Sequence, residues 1–452
     1  MLQPFYTFLS FVRDIGEESF EILLKKPLFH IGQHGLKVRG MFAGIQTRQA
    51  VTIYVGILWV IPIVIAQPYV YLYANQLGLS ETEVGVYQSL MSFVGLLFFF
   101  IGGYCSDIWG RKKALIFFDT ISWEGYCLCL ALATNKWWCI AAIFFMATNA
   151  ASGPPYLSLL SEGVPPKNRA FVFTVLSMAN MAPALAFLPL LGGIWINKAG
   201  FIPANHQMYW LHAALVGLGI FLRWKLLPES EVYEKSAESW LRALSEAFRQ
   251  YRQALAAFFQ KPISKMFLIS KFLDEWIIFV WTTYASLYYV KHLGLQESYL
   301  STLSPISTYA AFLSLFLVIP NLTEKFMMRI LGFDQLFGLV AMTVLLLLSR
   351  GGQSVLLVCL LSSGLAAVGG AFYGSVSAAV WMNIMEERDR AKVVAACYAL
   401  IKVGLFLTGS LGALLYGKVS PESLLWVFIG IRVVGFILLR RVAKQMSAQL
   451  TA

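Results

Sequence analysis

The sequence predicts an all-α integral membrane protein of twelve transmembrane helices, arranged as two six-helix halves. Three observations predict it. Hydrophobic residues make up 58% of the 452 and charged residues only 13%, against roughly 25% charged in a soluble domain. The apolar residues fall in unbroken runs of about 20, the length a helix needs to cross a bilayer, rather than in the alternating segments of about 10 that build a β-barrel. The Lys and Arg residues sit mainly in short segments between runs, crowded on one side.

The first six runs lie near 51–74, 83–104, 113–133, 137–160, 170–197 and 208–227, and the second six near 265–290, 298–320, 330–349, 354–384, 391–417 and 423–440. With both termini cytoplasmic, 27 of the 35 Lys and Arg residues fall in cytoplasmic segments and five in outer loops. Lys271, Lys402 and Arg432 lie within runs. Cations are retained on the cytoplasmic side during insertion, so this orientation in a cell membrane is the one predicted. The net charge of +11 is then a matter of topology and anionic lipid. It is not gathered into the basic face that nucleic-acid binding requires.

The runs divide the chain into an N-terminal cytoplasmic or interfacial segment (1–48), a first bundle (49–228), a cytoplasmic linker (229–264), a second bundle (265–441) and a tail (442–452). In the linker Trp240, Leu244, Phe248, Tyr251, Leu255 and Phe258 recur every three or four residues, with Arg242, Arg249 and Arg252 on other faces. That pattern predicts an amphipathic helix lying on the inner leaflet. Phe5, Phe8, Leu9, Val12 and Ile15 give a weaker apolar face near the N terminus. The first residues lack the basic start and long apolar core of a cleaved signal peptide. Six cysteines stand in or beside apolar runs without CxxC spacing, which reads as reduced small hydrophobes. No metal cluster, phosphate loop or nucleophile–base pair is legible, so no metal, no cofactor and no enzymatic chemistry are expected. A monomer is expected.

Residues 102–113, GGYCSDIWGRKK, join the second run to the third on the cytoplasmic side. Gly103 and Gly110 permit close approach and a sharp turn; Asp107 is followed by Arg111, Lys112 and Lys113. Residues 320–329, PNLTEKFMMR, stand in the same place after the eighth run, with Glu324 in the position of Asp107, then Lys325 and Arg329. PPKNRA between runs four and five carries Arg169, and EERDRA between runs ten and eleven carries Arg390 in the matching place. The offset from Asp107 to Glu324 nearly equals that from Arg169 to Arg390. Near-equal offsets indicate an internal repeat, as paired six-helix halves predict.

The first of these loops resembles the signature G-x-x-x-D-[RK]-x-G-[RK]-[RK] of the major facilitator superfamily at Gly103, Asp107, Gly110, Arg111 and Lys112. It departs at Ile108, where the family carries a basic residue. Glu162-Gly163-Val164-Pro165 resembles the family's end of helix 4, and Leu227-Pro228-Glu229-Ser230 its exit from helix 6. Pro189-Leu190-Leu191-Gly192-Gly193 resembles the last part of its antiporter motif, with Leu188 where a glycine belongs. The likeness, loosely to bacterial drug-efflux members, implies two bundles around a central cavity that switch by rocking. It implies gating roles for Gly103, Asp107, Gly110, Arg111, Lys112, Glu162, Arg169, Glu324, Arg329 and Arg390, with the basic residues pairing with Glu162 and Glu229. It also implies that helices 1, 4, 7 and 10 line the cavity.

A charge at membrane depth is costly unless paired or facing water, so each marks a site. The third run carries Asp119 and Glu124; the seventh carries Lys271, Asp274 and Glu275; the eleventh Lys402; the twelfth Arg432. Lys271 can pair with Asp274 or Glu275 one turn on. Asp119 can join Arg111 and Lys113. Glu124 has no neighbour and either protonates or meets Arg432 or Lys402. Proton coupling requires a carboxylate that can protonate in the membrane, which makes Asp274, Glu275, Glu124 and Asp119 its candidates. The expected cavity residues are Gln67, Tyr69, Asn149, Tyr156, Trp281, Tyr284, Tyr373 and Lys402. An aromatic, sparsely charged cavity suits a small amphipathic solute, and proton-coupled efflux is the expected function. Uptake or exchange of an organic anion held by Lys402 is the alternative. A non-transporting sensor or lipid-handling protein is the alternative of another class.

Overall fold

The computed structural model describes residues 47–164, 166–229, 258–318, 330–348, 354–384 and 390–451, with 245, 249, 252, 253, 255, 256 and 328 between them. The expected N-terminal apolar face lies outside the described residues, as does most of the linker helix. No strand occurs among the described residues, which form twelve helical segments. In the first half these are α1 (Thr47–Gln76), α2 (Glu81–Trp109), α3 (Arg111–Ala131), α4 (136–161), α5 (166–199) and α6 (Phe201–Leu226). In the second they are α7 (262–292), α8 (Leu300–Val318), α9 (Phe333–Leu348), α10 (Val355–Ile384), α11 (390–419) and α12 (Pro421–Thr451). Seven of these segments hold a helix individually long and apolar enough to cross a membrane.

Two boundaries differ from the expectation. α6 begins at Phe201 rather than near 208, because Gly200, with φ of +81°, is the whole break between it and α5. The polar Asn205 and His206 resemble a loop in sequence, but Asn205 Nδ2 donates to Phe201 O (2.8 Å) and the His206 ring contacts Ala133 O (2.8 Å). With their polar groups satisfied, they sit in a helix without penalty. α12 runs on to Thr451, so the expected tail continues the helix. Helix interruptions follow the prolines: α1 tightens at Gln67–Tyr69 around Pro68, and α4 at Asn149–Ser152 ahead of Pro154 and Pro155. Proline removes a backbone donor and displaces the preceding turn.

Within the first half, α1 packs on α6 and α5, and α3 on α6; within the second, α9 packs on α10 and α12, and α7 on α12. The halves meet where α2 lies against α11 and α5 against α8. Phe93 of α2 and Phe406 of α11 stack tilted across that contact at 5.0 Å. Leu97, Phe144, Trp224, Leu407 and Trp426 are exposed on the helices, which lipid tails tolerate as readily as a core does.

Candidate functional site

Each half buries an aspartate–arginine pair. In the first half Asp119 of α3 is 3% exposed and receives Arg223 Nη1 of α6 on Oδ2 at 2.5 Å. The Arg223 guanidinium lies over the Trp59 ring of α1 at 4.1 Å and faces Tyr156 of α4 at 5.6 Å. Gly219, one turn before Arg223, leaves the space that the Trp59 ring occupies. Asp119 therefore does not join Arg111 and Lys113 as expected. A buried guanidinium gives it a stronger partner than the half-buried Arg111 or the exposed Lys113. Beside the pair is a cavity of 400 Å³ walled by Trp59, Asp119, Trp123, Asn149, Tyr156 and Arg223. Asn149 donates to Ser122 Oγ at 3.2 Å.

In the second half Asp274 of α7 is 2% exposed and receives Arg432 Nη1 of α12 on Oδ1 at 2.6 Å. Gln335 Nε2 of α9 donates to both Asp274 oxygens (2.8 and 2.9 Å) and to Asp334 Oδ2 (2.6 Å). Arg432 Nη1 also donates to Gln335 Oε1 at 3.2 Å. Asp334, 5% exposed, is the residue that sequence reasoning missed, and Arg223 is the other, counted as a cytoplasmic cation. The repeat held the signal: Asp334 follows Asp119 at nearly the offset that relates the loops at 102–113 and 320–329. Lys271 Nζ pairs with Glu275 Oε1 at 3.1 Å and sits over the Tyr373 ring at 4.6 Å.

Glu124 does not receive Arg432, which Asp274 holds. It is half-buried in the wide turn Thr120–Glu124, faces Gly217 of α6, and has no ion-pair partner among the described residues. Lys402 is exposed and makes no ion pair among them. Gln67 is exposed. Three other expected cavity residues are packed elsewhere. Tyr69 is buried edge-on to Phe201 at 6.1 Å. Trp281 packs on Tyr289 (5.6 Å) and Phe428 (6.1 Å). Tyr284 stacks on Tyr416 at 4.4 Å and donates to Glu81 O at 2.9 Å. Rings on the packed faces of helices serve helix contacts as well as they serve cavity walls.

The end of the bundle that carries Glu81 is bonded across the halves. Lys291 pairs with Glu81 (2.8 Å), Gln76 donates to Glu297 (2.6 Å), and Gln296 donates to Asn197 (3.4 Å). Partial burial raises the Glu297 carboxyl above its ordinary range, against the pull of the Gln76 bond. At the opposite end Gly110 turns with φ of +90° into α3, whose first turn presents Arg111 and Lys112. Arg111 and Arg48 both hold Glu162, at 2.8 and 2.9 Å, and Arg48 Nη2 also donates to Glu229 O at 2.8 Å. Asp107 is exposed. Gly102, rather than Gly103, is the glycine pressed against Ala151 of α4. Glu324 and Arg329 lie outside the described residues, as do the side chains of Arg169 and Arg390.

Comparison with known proteins matches this arrangement. The family model of the Major Facilitator Superfamily matches residues 50–361. The uncharacterized MFS-type transporter YqjV of Bacillus subtilis (strain 168) is 34% identical over 130 residues, which cover 27% of this chain and 30% of that one. The matched part thus spans under a third of that relative's length. The nucleoside transporter NupG is similar in structure, with TM-score 0.63 at 15% identity over 87% of this chain and 99% of that one. The xylose transporter XylE from E. coli, in its inward open conformation, gives 0.61 at 16% identity over 86% and 94%. These structural likenesses establish the fold, and all three proteins are transporters rather than enzymes. With the family model matched over well over half its length, the chain is a multi-pass membrane protein belonging to the Major Facilitator Superfamily.

Proposed function

We propose that the protein is a secondary active transporter that moves a small organic solute by alternating access, coupled to protons and directed outward. The cavity carries this reading: 400 Å³ walled by Trp59, Trp123 and Tyr156, beside a buried ion pair, in a bundle whose halves are bonded together at one end. The volume is within the range of small-molecule sites, about 300–1,000 Å³. On the positive-inside reading of the Lys and Arg residues the Glu81 end is the outer one, and the conformation then reads as closed toward the outside. The family supplies the mechanism class, and aromatic walls favour an amphipathic solute.

Proton coupling rests on the second half. Asp274 and Asp334 share the Gln335 amide donor, Arg432 bonds Asp274 alone of the two, and Lys271 is already matched by Glu275. Two carboxylates against one guanidinium leave one negative charge out of water, which a proton can neutralise.

Proteoliposomes with an imposed pH gradient test the reading. Gradient-driven flux of an amphipathic dye is expected in the wild type. It should be lost in Asp274→Asn and Asp334→Asn, while exchange of the dye without a gradient persists. Wild-type flux indifferent to the gradient would remove proton coupling, and absence of flux across a panel of such dyes would remove amphipathic export.

A further inference from the structure

The geometry points to an anion subsite at Arg223: the first-half cavity takes the carboxylate of a small aromatic acid on the Arg223 guanidinium, with the acid's ring against the Trp123 and Tyr156 walls. This names the substrate class of the transporter proposed above and rests on that reading.

A guanidinium carries five N–H donors in a planar fork that matches a carboxylate edge-on. Arg223 is 5% exposed, yet it makes one hydrogen bond among the described residues, Nη1 to Asp119, and its Nε has no partner. Trp59, also 5% exposed, has an unpartnered indole N–H. Buried donors without acceptors are rare in native structures. Two of them at the wall of one cavity call for an acceptor that the chain does not provide.

The second half contains a more fully bonded counterpart. Trp59 and Asp274 are separated by the same offset as Asp119 and Asp334, and Tyr156 and Tyr373 by nearly that offset. An aromatic residue of α1 is therefore in register with an aspartate of α7. Arg432 there has two acceptors on its Nη1, the Asp274 carboxylate and Gln335 Oε1, at 2.6 and 3.2 Å, while its Nε, like that of Arg223, has no partner. Arg223 has one carboxylate and the face of an indole. The two arginines enter from different heights of α6 and α12, so it is the sites that correspond and not the arginine positions. A bound carboxylate gives the first half the composition already present in the second: two carboxylates to one arginine. Lys402, by contrast, is not among the residues that wall this cavity.

The test is binding of 1-naphthoate to the full-length protein in lipid nanodiscs, compared with 1-naphthalenemethanol, its neutral analogue. Naphthoate should raise the apparent melting temperature saturably, with the alcohol at least about tenfold weaker. Arg223→Lys keeps the charge that Asp119 needs but loses the fork, so naphthoate affinity should fall about tenfold or more. Trp59→Phe keeps an aromatic ring and removes the N–H, and a smaller fall is expected. Three results would each overturn the subsite: alcohol binding as tight as naphthoate binding, naphthoate affinity unchanged in both variants, or affinity lost in Lys402→Gln instead. If naphthoate fails to bind while gradient-driven dye flux persists, the subsite falls and the transporter reading stands. If naphthoate binds and no flux is found, the failure belongs to that reading.

Discussion

At the scale of single residues, the charges at membrane depth are organised by arginines that arrive from distant helices. Asp119 and Arg223 are 104 positions apart, and Asp274 and Arg432 are 158 apart. The carboxylates were legible as charges inside apolar runs. Their partners were not, because no local pattern records which helix faces which. Arg223 in particular sits in the last turn of α6 and looks like one more cytoplasmic cation. Removing Asp119 alone should strand a buried guanidinium. Asp119→Leu is expected to destabilise by about 3–5 kcal/mol, and Asp119→Leu with Arg223→Met to recover most of it, since an apolar pair replaces an ion pair at little loss. Thermal unfolding of both in the same detergent checks this. An equal fall in both variants would mean that packing, not charge, is what the pair contributes.

At the scale of helices, the runs of about 20 apolar residues announced the elements well, and the prolines of α1 and α4 announced their interruptions. The start of α6 was less legible, because Asn205 and His206 read as a loop until their hydrogen bonds are seen. Which ring lines the cavity was legible only in part: Tyr156 and its helix neighbour Asn149 do stand in the wall. A helix apolar on every side has no marked face, so Tyr284 could be assigned to the cavity by position while it packs on Tyr416. The α5–α6 joint makes a sharp prediction. Gly200 has φ of +81° and ψ of 162°, a region almost closed to L side chains, at a cost of about 1–3 kcal/mol. Gly200→Ala should lower the melting temperature by a corresponding amount without altering naphthoate affinity.

At the scale of the whole molecule, the two halves repeat a plan and differ in its chemistry. The repeat was visible in the cytoplasmic loops, but the divergence at Trp59 and Asp274 appears only when the helices are packed. The bonds at the Glu81 end hold the halves together on one side, and transport requires them to part. Gln76 and Glu297 touch across that seam. A Gln76→Cys, Glu297→Cys variant should therefore cross-link on oxidation, stop flux, and recover with reductant. All six native cysteines are buried, so the background of this measurement is low. Flux that continues through the cross-link would place the moving contact elsewhere.

The single residue between α5 and α6 has a mechanical consequence. A joint that short has little slack, so α6 and the part of α5 beyond its break at 186–188 are coupled at an elbow at Gly200. One arm, α5, leans on α8 of the other half. The other arm carries Arg223 near its far end, and at about 1.5 Å of rise per residue the guanidinium lies roughly 35 Å from the elbow. Held on Asp119 of α3 and over Trp59 of α1, the guanidinium moves with those partners when the halves rotate where they touch. Opening the molecule and moving its buried cation are then one stroke.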